Sequence, residues 1–268
     1  MLDLIQITND PAFARRCDAL AGIRLFVDLE RLGKAQRQAG RNTFISTHQV
    51  GDVGKVKAQL RNARLMVRVN PVNGATRDEV EAVLAQGADM LMLPMFENGA
   101  QLREFLAIVD GRVPVSALLE NAGALATIED WIAAPGLSEV FVGLNDLHLS
   151  LRRRFMFEPL ADGIVDRVAA LAHGRGLGFG FGGIARLEEG LLPGRDVLAE
   201  HLRLGSGAVI LSRTFHNSQG STSFEDEVAA LRATEASLAL RTPQQAQADS
   251  VRIAQAIRGI AGAMAQAA

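Results

Sequence analysis

Short apolar runs punctuate this chain, and between them lie longer stretches in which apolar residues recur every three or four positions. The runs fall at residues 2–7, 23–29, 64–69, 90–94, 113–119, 139–143, 177–182 and 207–211. Most are apolar nearly throughout, as in Leu25-Phe26-Val27 and Met90-Leu91-Met92-Leu93, and do not alternate. A strand of that kind is covered on both faces, which marks a parallel sheet. Helical spacing fills the gaps, for example over 97–109, 126–133, 162–173, 195–203 and 224–240. Asp10-Pro11 provides an N-cap and a first-turn proline, and Thr76-Arg77-Asp78-Glu79 has the outline of a capping box. Strand–helix units repeated eight times predict an α/β fold, a (β/α)8 TIM barrel with an extra C-terminal helix. A doubly wound open sheet is the alternative.

Two segments exceed that minimum. Residues 31–52 form a long connection after the second strand and carry Lys34, Arg37, Arg41 and His48; long loops at this end of a strand are commonly functional. At the other end of the chain, Ile253, Ile257, Ile260 and Met264 make an apolar stripe on a last helix. The expected organisation is a catalytic barrel over 1–240 and a helical extension over 241–268. The stripe calls for cover by the barrel or by a neighbouring subunit, so a homo-oligomer is expected.

Composition narrows the class. Of 268 residues, 48% are hydrophobic and 22% charged, enough for a large core. The net charge is −2 with Lys and Arg dispersed, which argues against a nucleic-acid partner. No apolar run reaches the ~18 residues that span a bilayer, and the start lacks the basic region of a signal peptide. Cys17 is the single cysteine and sits in a helical pattern as core filler. A soluble cytoplasmic protein is the expectation.

In such barrels the chemistry gathers where the strands end. Asp28 and Glu30 follow the second strand, Arg68 and Asn70 the third, Glu97 the fourth, Glu120 and Asn121 the fifth, and Asn145, Asp146 and His148 the sixth. Gly180-Phe181-Gly182-Gly183 is read as a turn closing the seventh, able to approach a phosphate with help from Ser212 and Arg213, or simply tight. Carboxylates outnumber cations in this ring. A divalent cation with oxygen ligands, Mg²⁺ or alternatively Mn²⁺ or Co²⁺, would relieve the repulsion. Zinc is disfavoured because clustered Cys and His are lacking.

Three stretches together resemble the HpcH/HpaI aldolase and citrate lyase β-subunit family. They are Val115-Ser116-Ala117-Leu118-Leu119-Glu120-Asn121, Ala124-Leu125-Ala126-Thr127-Ile128-Glu129 and Gly136-Leu137-Ser138-Glu139-Val140-Phe141-Val142-Gly143-Leu144-Asn145-Asp146-Leu147. Phe26-Val27-Asp28-Leu29-Glu30, Met66-Val67-Arg68-Val69-Asn70 and the segment 86–95 add to the likeness, which spans about 2–215. The resemblance implies a divalent-metal-dependent carbon–carbon lyase or aldolase acting through a pyruvate-like enolate of a small 2-keto acid. It places the metal on Glu120 and Asp146 and the substrate carboxylate on Arg68. Asp28, Glu30, Asn145, Gly182, Gly183 and Ser212 would support substrate or metal waters. The chain departs from the family pattern at Met95, where Lys is frequent, and at Arg31, where an acid or a His is frequent. His48 is then the nearest candidate base in sequence, with a metal-activated water as the alternative. A citrate-lyase-like acyl-thioester lyase and a non-catalytic ligand-binding barrel are the competing functions.

Overall fold

In a computed structural model of the chain, which describes residues 1–34, 46–216 and 222–266, the expected strands form. They are β1 (Asp3–Ile7), β2 (Ile23–Asp28), β3 (Arg64–Arg68), β4 (Met90–Leu93), β5 (Val115–Leu119), β6 (Leu137–Val142), β7 (Gly178–Ile184) and β8 (Ala208–Leu211). They pair in chain order and close into a parallel (β/α)8 barrel, which excludes the open doubly wound sheet. The apolar runs predicted this well because a strand covered by helices on one face and barrel core on the other has no solvent face to encode. By packing, the chain divides into two compact units, 5–141 and 1–4 with 142–268.

In the unit 5–141, the helices are α1 (Pro11–Asp18), α2 (Val50–Lys57), α3 (Thr76–Ala85), α4 (Gly99–Val109), α5 (Ala122–Ala126) and α6 (Ile128–Trp131). Asp10 caps α1 by accepting from the Ala12 N–H, as its sequence predicts. Asn98 caps α4, so that helix starts just after the residue at which the periodicity begins. The expected box at Thr76 does not form. Ala75 holds the cap position, Thr76 Oγ1 accepts from the Asn73 N–H, and Glu79 turns to Asn70. The helix expected over 126–133 is instead two short ones, α5 and α6, separated at Thr127, whose hydroxyl donates back to the Gly123 carbonyl. Trp131 anchors this region: it is fully buried, donates from Nε1 to the Ala124 carbonyl at 2.8 Å, and meets Phe96 edge-on at 5.0 Å.

Near the starts of these strands lies a buried ion pair. Arg24 Nη1 reaches both Glu139 oxygens at 3.1 and 2.9 Å, Ser116 Oγ donates to Glu139 Oε1 at 2.9 Å, and the Met90 sulfur lies 3.7 Å from the same nitrogen. All three polar residues are buried.

The unit 1–4 with 142–268 holds α7 (Leu144–Ser150), α8 (Glu158–Ala161), α9 (Ile164–His173), α10 (Gly194–Arg203), α11 (Phe224–Leu238) and α12 (Pro243–Gln266). The apolar stripe on α12 is largely covered within the chain, by α8 and α10, with Ile253 and Ile257 buried. Arg252 and Asp196 close the same contact through paired hydrogen bonds at 3.0 and 2.6 Å. Of the residues singled out, Met264 stays exposed at 37%. The glycine segment expected as a turn lies inside β7, with a register shift against β8 between Gly180 and Gly183. Consecutive glycines let the strand bulge there, which a tight-turn reading of the same residues could not anticipate.

Candidate active site

Parallel register decides the first contact. Asp28 and Arg68 end neighbouring strands and are paired residues in the β2–β3 ladder, so their side chains start about 4.8 Å apart. The guanidinium meets the carboxylate as a fork, Nε to Oδ1 at 2.9 Å and Nη2 to Oδ2 at 2.8 Å. It also stands over Phe26, 5.6 Å from the ring centroid. Lys34 comes in from the following loop, its Nζ 3.0 Å from Asp28 Oδ2 and 3.3 Å from Glu30 Oε2. Glu30 lies 3.5 Å from Arg68 Nε. Burial alone would raise the Asp28 pKa, but Arg68 and then Lys34 outweigh it and hold the carboxyl well below the usual range. Burial likewise works against the Arg68 charge, and Asp28, Glu30 and Glu120 restore it, so Arg68 is a fixed cation. Its Nη1 has no hydrogen-bond partner among the described residues and remains a free arm of the fork.

The described ends of the connection between β2 and α2, residues 29–34 and 46–49, are held by side chains around them. Asn70, just past β3, accepts from the Arg31 and Leu32 N–H groups at 2.9 and 3.0 Å through Oδ1 and donates to Glu79 at 2.7 Å. Burial pushes the Glu79 pKa up, with the Asn70 hydrogen bonds opposing. Arg31 in turn donates to the carbonyls of Thr47 and His48 at 3.2 and 2.9 Å. His48 is buried, its N–H bonds Ser46 Oγ, and its ring Nδ1 accepts from the Asp28 N–H at 3.1 Å. Burial pushes its pKa down, Lys34 adds to that, and Asp28 and Asp52 oppose it. Arg37 and Arg41 lie outside the described residues.

Glu120, at the end of β5, is buried and accepts from the Met95 N–H at 3.0 Å through Oε1. Met95 has a left-handed backbone, φ 53°, rare for a residue with a side chain. Next to Glu120, Asn121 caps α5 through the Ala124 N–H and donates to the Phe96 carbonyl. The strand end that carries Glu120 is therefore fixed on both sides. Asp28, Glu30 and Glu120 thus gather around Lys34 and Arg68.

Among the sequence-predicted residues, the structure brings together Asp28, Glu30, His48 and Arg68, with Glu120 close enough to act on the Arg68 charge. In the other unit, Asn145 and Asp146 lie in α7 directly after β6, where His148 Nδ1 faces the Leu144 carbonyl at 3.1 Å. Gly182 has φ 55°, a conformation that favours glycine, and a Cβ there would come 2.9 Å from Leu144 Cδ1. Gly183 lies in β7, and Ser212 extends the β8 ladder with its hydroxyl 3.0 Å from Thr214 Oγ1. Sequence reasoning missed Lys34 as a member of the cluster and Arg31 and Asn70 as its braces. Lys34 does fall four residues after Glu30 and six after Asp28, and that spacing was the available signal.

The chemistry of the donors suits a hard cation: carboxylate oxygens, with no thiolate among them. Among the described residues no group of three or more His, Cys, Asp or Glu is arranged to hold a metal ion. A cation here would complete its shell with water and substrate.

The sequence model of the HpcH/HpaI aldolase/citrate lyase family matches residues 24–156, the stretch that carries Asp28, Glu30, Arg68, Glu120 and Asp146. Over this stretch, about half of its length, the chain is similar to that family. Two (3S)-malyl-CoA thioesterases of Cereibacter sphaeroides are 26% and 32% identical to it over 194 and 191 residues. Each match covers 68% of this chain and 64% of the relative's length. A citrate lyase from Burkholderia xenovorans shares the fold with a TM-score of 0.62 at 16% identity, over 96% of this chain and 91% of that one. The protein CitE of Mycobacterium tuberculosis, in complex with magnesium and acetate, shares it with a TM-score of 0.61 at 16% identity, over 93% and 96%. Against the family pattern, Met95 meets Glu120 with a backbone N–H where Lys is frequent, and Arg31 braces the His48 segment where an acid or His is frequent.

Proposed function

We propose that this protein is a divalent-metal-dependent carbon–carbon lyase or aldolase that makes or breaks a bond through the enolate of a small 2-keto acid. The observation that carries the reading is the Arg68 guanidinium, held by Asp28 through Nε and Nη2, with Nη1 making no hydrogen bond among the described residues and Glu120 near enough to act on its charge. Asp28 takes Nε–H and one Nη2–H, so Nη1–H and the second Nη2–H are the parallel pair left to meet a planar carboxylate such as that of pyruvate, a pair that Lys cannot copy. Glu120 and Asp146 are the proposed ligands of Mg²⁺, with Mn²⁺ or Co²⁺ as substitutes. When bound, the cation would supply Lewis-acid stabilisation of negative charge on the substrate oxygens. Arg68 binds and orients the substrate carboxylate, and Asp28 fixes the fork so that its ordering is complete before substrate arrives. Lys34 balances Asp28 and Glu30, which keeps Asp28 ionised as the anchor of Arg68. Asn145, Gly182, Gly183 and Ser212 are proposed to serve substrate or its water.

The names of the thioesterase relatives favour a second reading, in which the substrate is an acyl thioester of a hydroxy acid. A melting-temperature screen with Mg²⁺, Mn²⁺ and Co²⁺, each with pyruvate, oxalate or an acetyl thioester, separates the two. Oxalate imitates the pyruvate enolate, and at about 100 times its Kd a ligand adds roughly 2.7 kcal/mol, a shift of several degrees for a chain of this size. Stabilisation by metal with oxalate supports the keto-acid enolate. Stabilisation by the thioester alone favours the second reading. A flat screen would leave neither standing.

A further inference from the structure

His48 is placed by more bonds than a loop residue needs. Ser46 Oγ accepts its N–H, Arg31 clamps its carbonyl and that of Thr47, and Asp52 accepts the next N–H, at Gln49, while Asn9 and Lys55 hold Asp52. The ring is buried. Its Nδ1 accepts from the backbone N–H of Asp28, the same residue whose carboxylate orients Arg68. An N–H cannot point at another N–H across 3.1 Å, so a proton on Nδ1 is shut out while this bond stands. The neutral ring must then carry its proton on Nε2, which has no hydrogen-bond partner among the described residues. Taking up a second proton would mean placing it on Nδ1, against Asp28. The ring is thus built to offer one N–H and is blocked from accepting a proton.

We infer that His48 serves the site as a fixed neutral donor, presenting Nε2–H to the anionic substrate held by Arg68, and is not the general base. This rests on the enolate reading above. It moves the proton-accepting role away from the residue that spacing alone would choose, and it explains why a loop histidine is braced through Arg31 and Asn70. The step it describes is a hydrogen bond only; no proton changes hands at His48.

The test uses the full chain labelled with ¹⁵N. The chain has five histidines, so the His48 ring signals are assigned by their loss in His48→Asn. In the free protein the two-bond ¹H–¹⁵N pattern should show Nδ1 bare and Nε2 protonated, unchanged between about pH 8 and pH 6, across the usual histidine range. Adding Mg²⁺ and saturating oxalate should move the Nε2–H proton downfield. Calorimetry adds a second reading: His48→Asn keeps an acceptor for the Asp28 N–H but has no outward donor, and should weaken oxalate about tenfold or more. His48→Gln offers an amide N–H at comparable reach and should recover part of that loss. A ring protonated on Nδ1, an imidazolium within that pH range, or an Nε2–H signal unmoved by bound oxalate would overturn the inference. If oxalate fails to bind wild type at all, the enolate reading falls and the donor role with it, whereas the tautomer result in the free protein stands separately.

Discussion

The unit 5–141 buries two sets of charges, and they differ in what they leave over. Near the strand starts, Arg24 and Glu139 are matched one to one, and Ser116 takes up a Glu139 oxygen. At the strand ends, Asp28 and Glu30 share Lys34 and Arg68, Glu120 lies close enough to act on the same guanidinium, and Arg68 Nη1 has no hydrogen-bond partner among the described residues. Both sets carry the desolvation cost of buried ions. The lower pair recovers much of it through Arg24 Nη1 on Glu139, although the buried Arg24 Nε makes no hydrogen bond among the described residues. The upper cluster shares two cations among carboxylates on neighbouring strands, and it is the cluster proposed above to meet a ligand.

That contrast can be broken by mutation. The largest effect should fall on Glu120→Gln and Asp146→Asn, each of which removes one negative charge at constant shape. Each should abolish most turnover of whichever substrate the melting screen identifies, with circular dichroism unchanged. Full turnover in both variants would remove the metal reading. Next, Glu139→Gln should cost about 3–5 kcal/mol of folding stability by leaving Arg24 buried without its counter-charge. Replacing both as Arg24→Met with Glu139→Leu should cost far less, and urea denaturation measures the difference. If the single and double variants lost the same amount, the pair would not be acting as a pair.

Arg68→Lys sits between the two regimes, because it keeps charge and loses the fork. Oxalate affinity in the presence of Mg²⁺ should drop by roughly 2–3 kcal/mol while the fold survives. Unchanged affinity would assign Arg68 to structure. The smallest effect is with pH. The folded Asp28 pKa lies below the unfolded one, so its contribution is complete above about pH 4 and is lost as pH falls further, at up to about 1.4 kcal/mol per pH unit. His48, also depressed, adds a shallower loss that starts below about pH 6.5. Asp28→Asn should remove the steeper phase from an acid titration of stability. A titration of the same shape in that variant would place the acid sensitivity elsewhere.

The strands were legible because two-sided burial writes itself as unbroken apolar runs, and the strand-end residues follow from them by position. Asp28, Glu30, Arg68 and Glu120 were readable for that reason. What could not be read depends on where loops return. Lys34 looks like a solvated loop charge until the chain turns at Arg31 and brings its ammonium between two buried carboxylates. Thr76 and Glu79 have the spacing of a capping box, but Asn70 offered the glutamate a nearer partner. His48 read as a base on proximity, and only the Asp28 N–H at its Nδ1 shows which nitrogen carries the proton. The stripe on α12 could be read as needing cover, but not which surface provides it.

The most direct test of the difference between the two clusters is one calorimetric series: Mn²⁺, then oxalate, titrated into wild type, Glu120→Gln and Glu139→Gln. Glu120→Gln should lose most Mn²⁺ affinity and all metal-dependent oxalate binding while keeping its melting temperature. Glu139→Gln, measured where it is still folded, should bind both like wild type while melting well below it. Wild-type Mn²⁺ and oxalate affinities in Glu120→Gln would contradict the account.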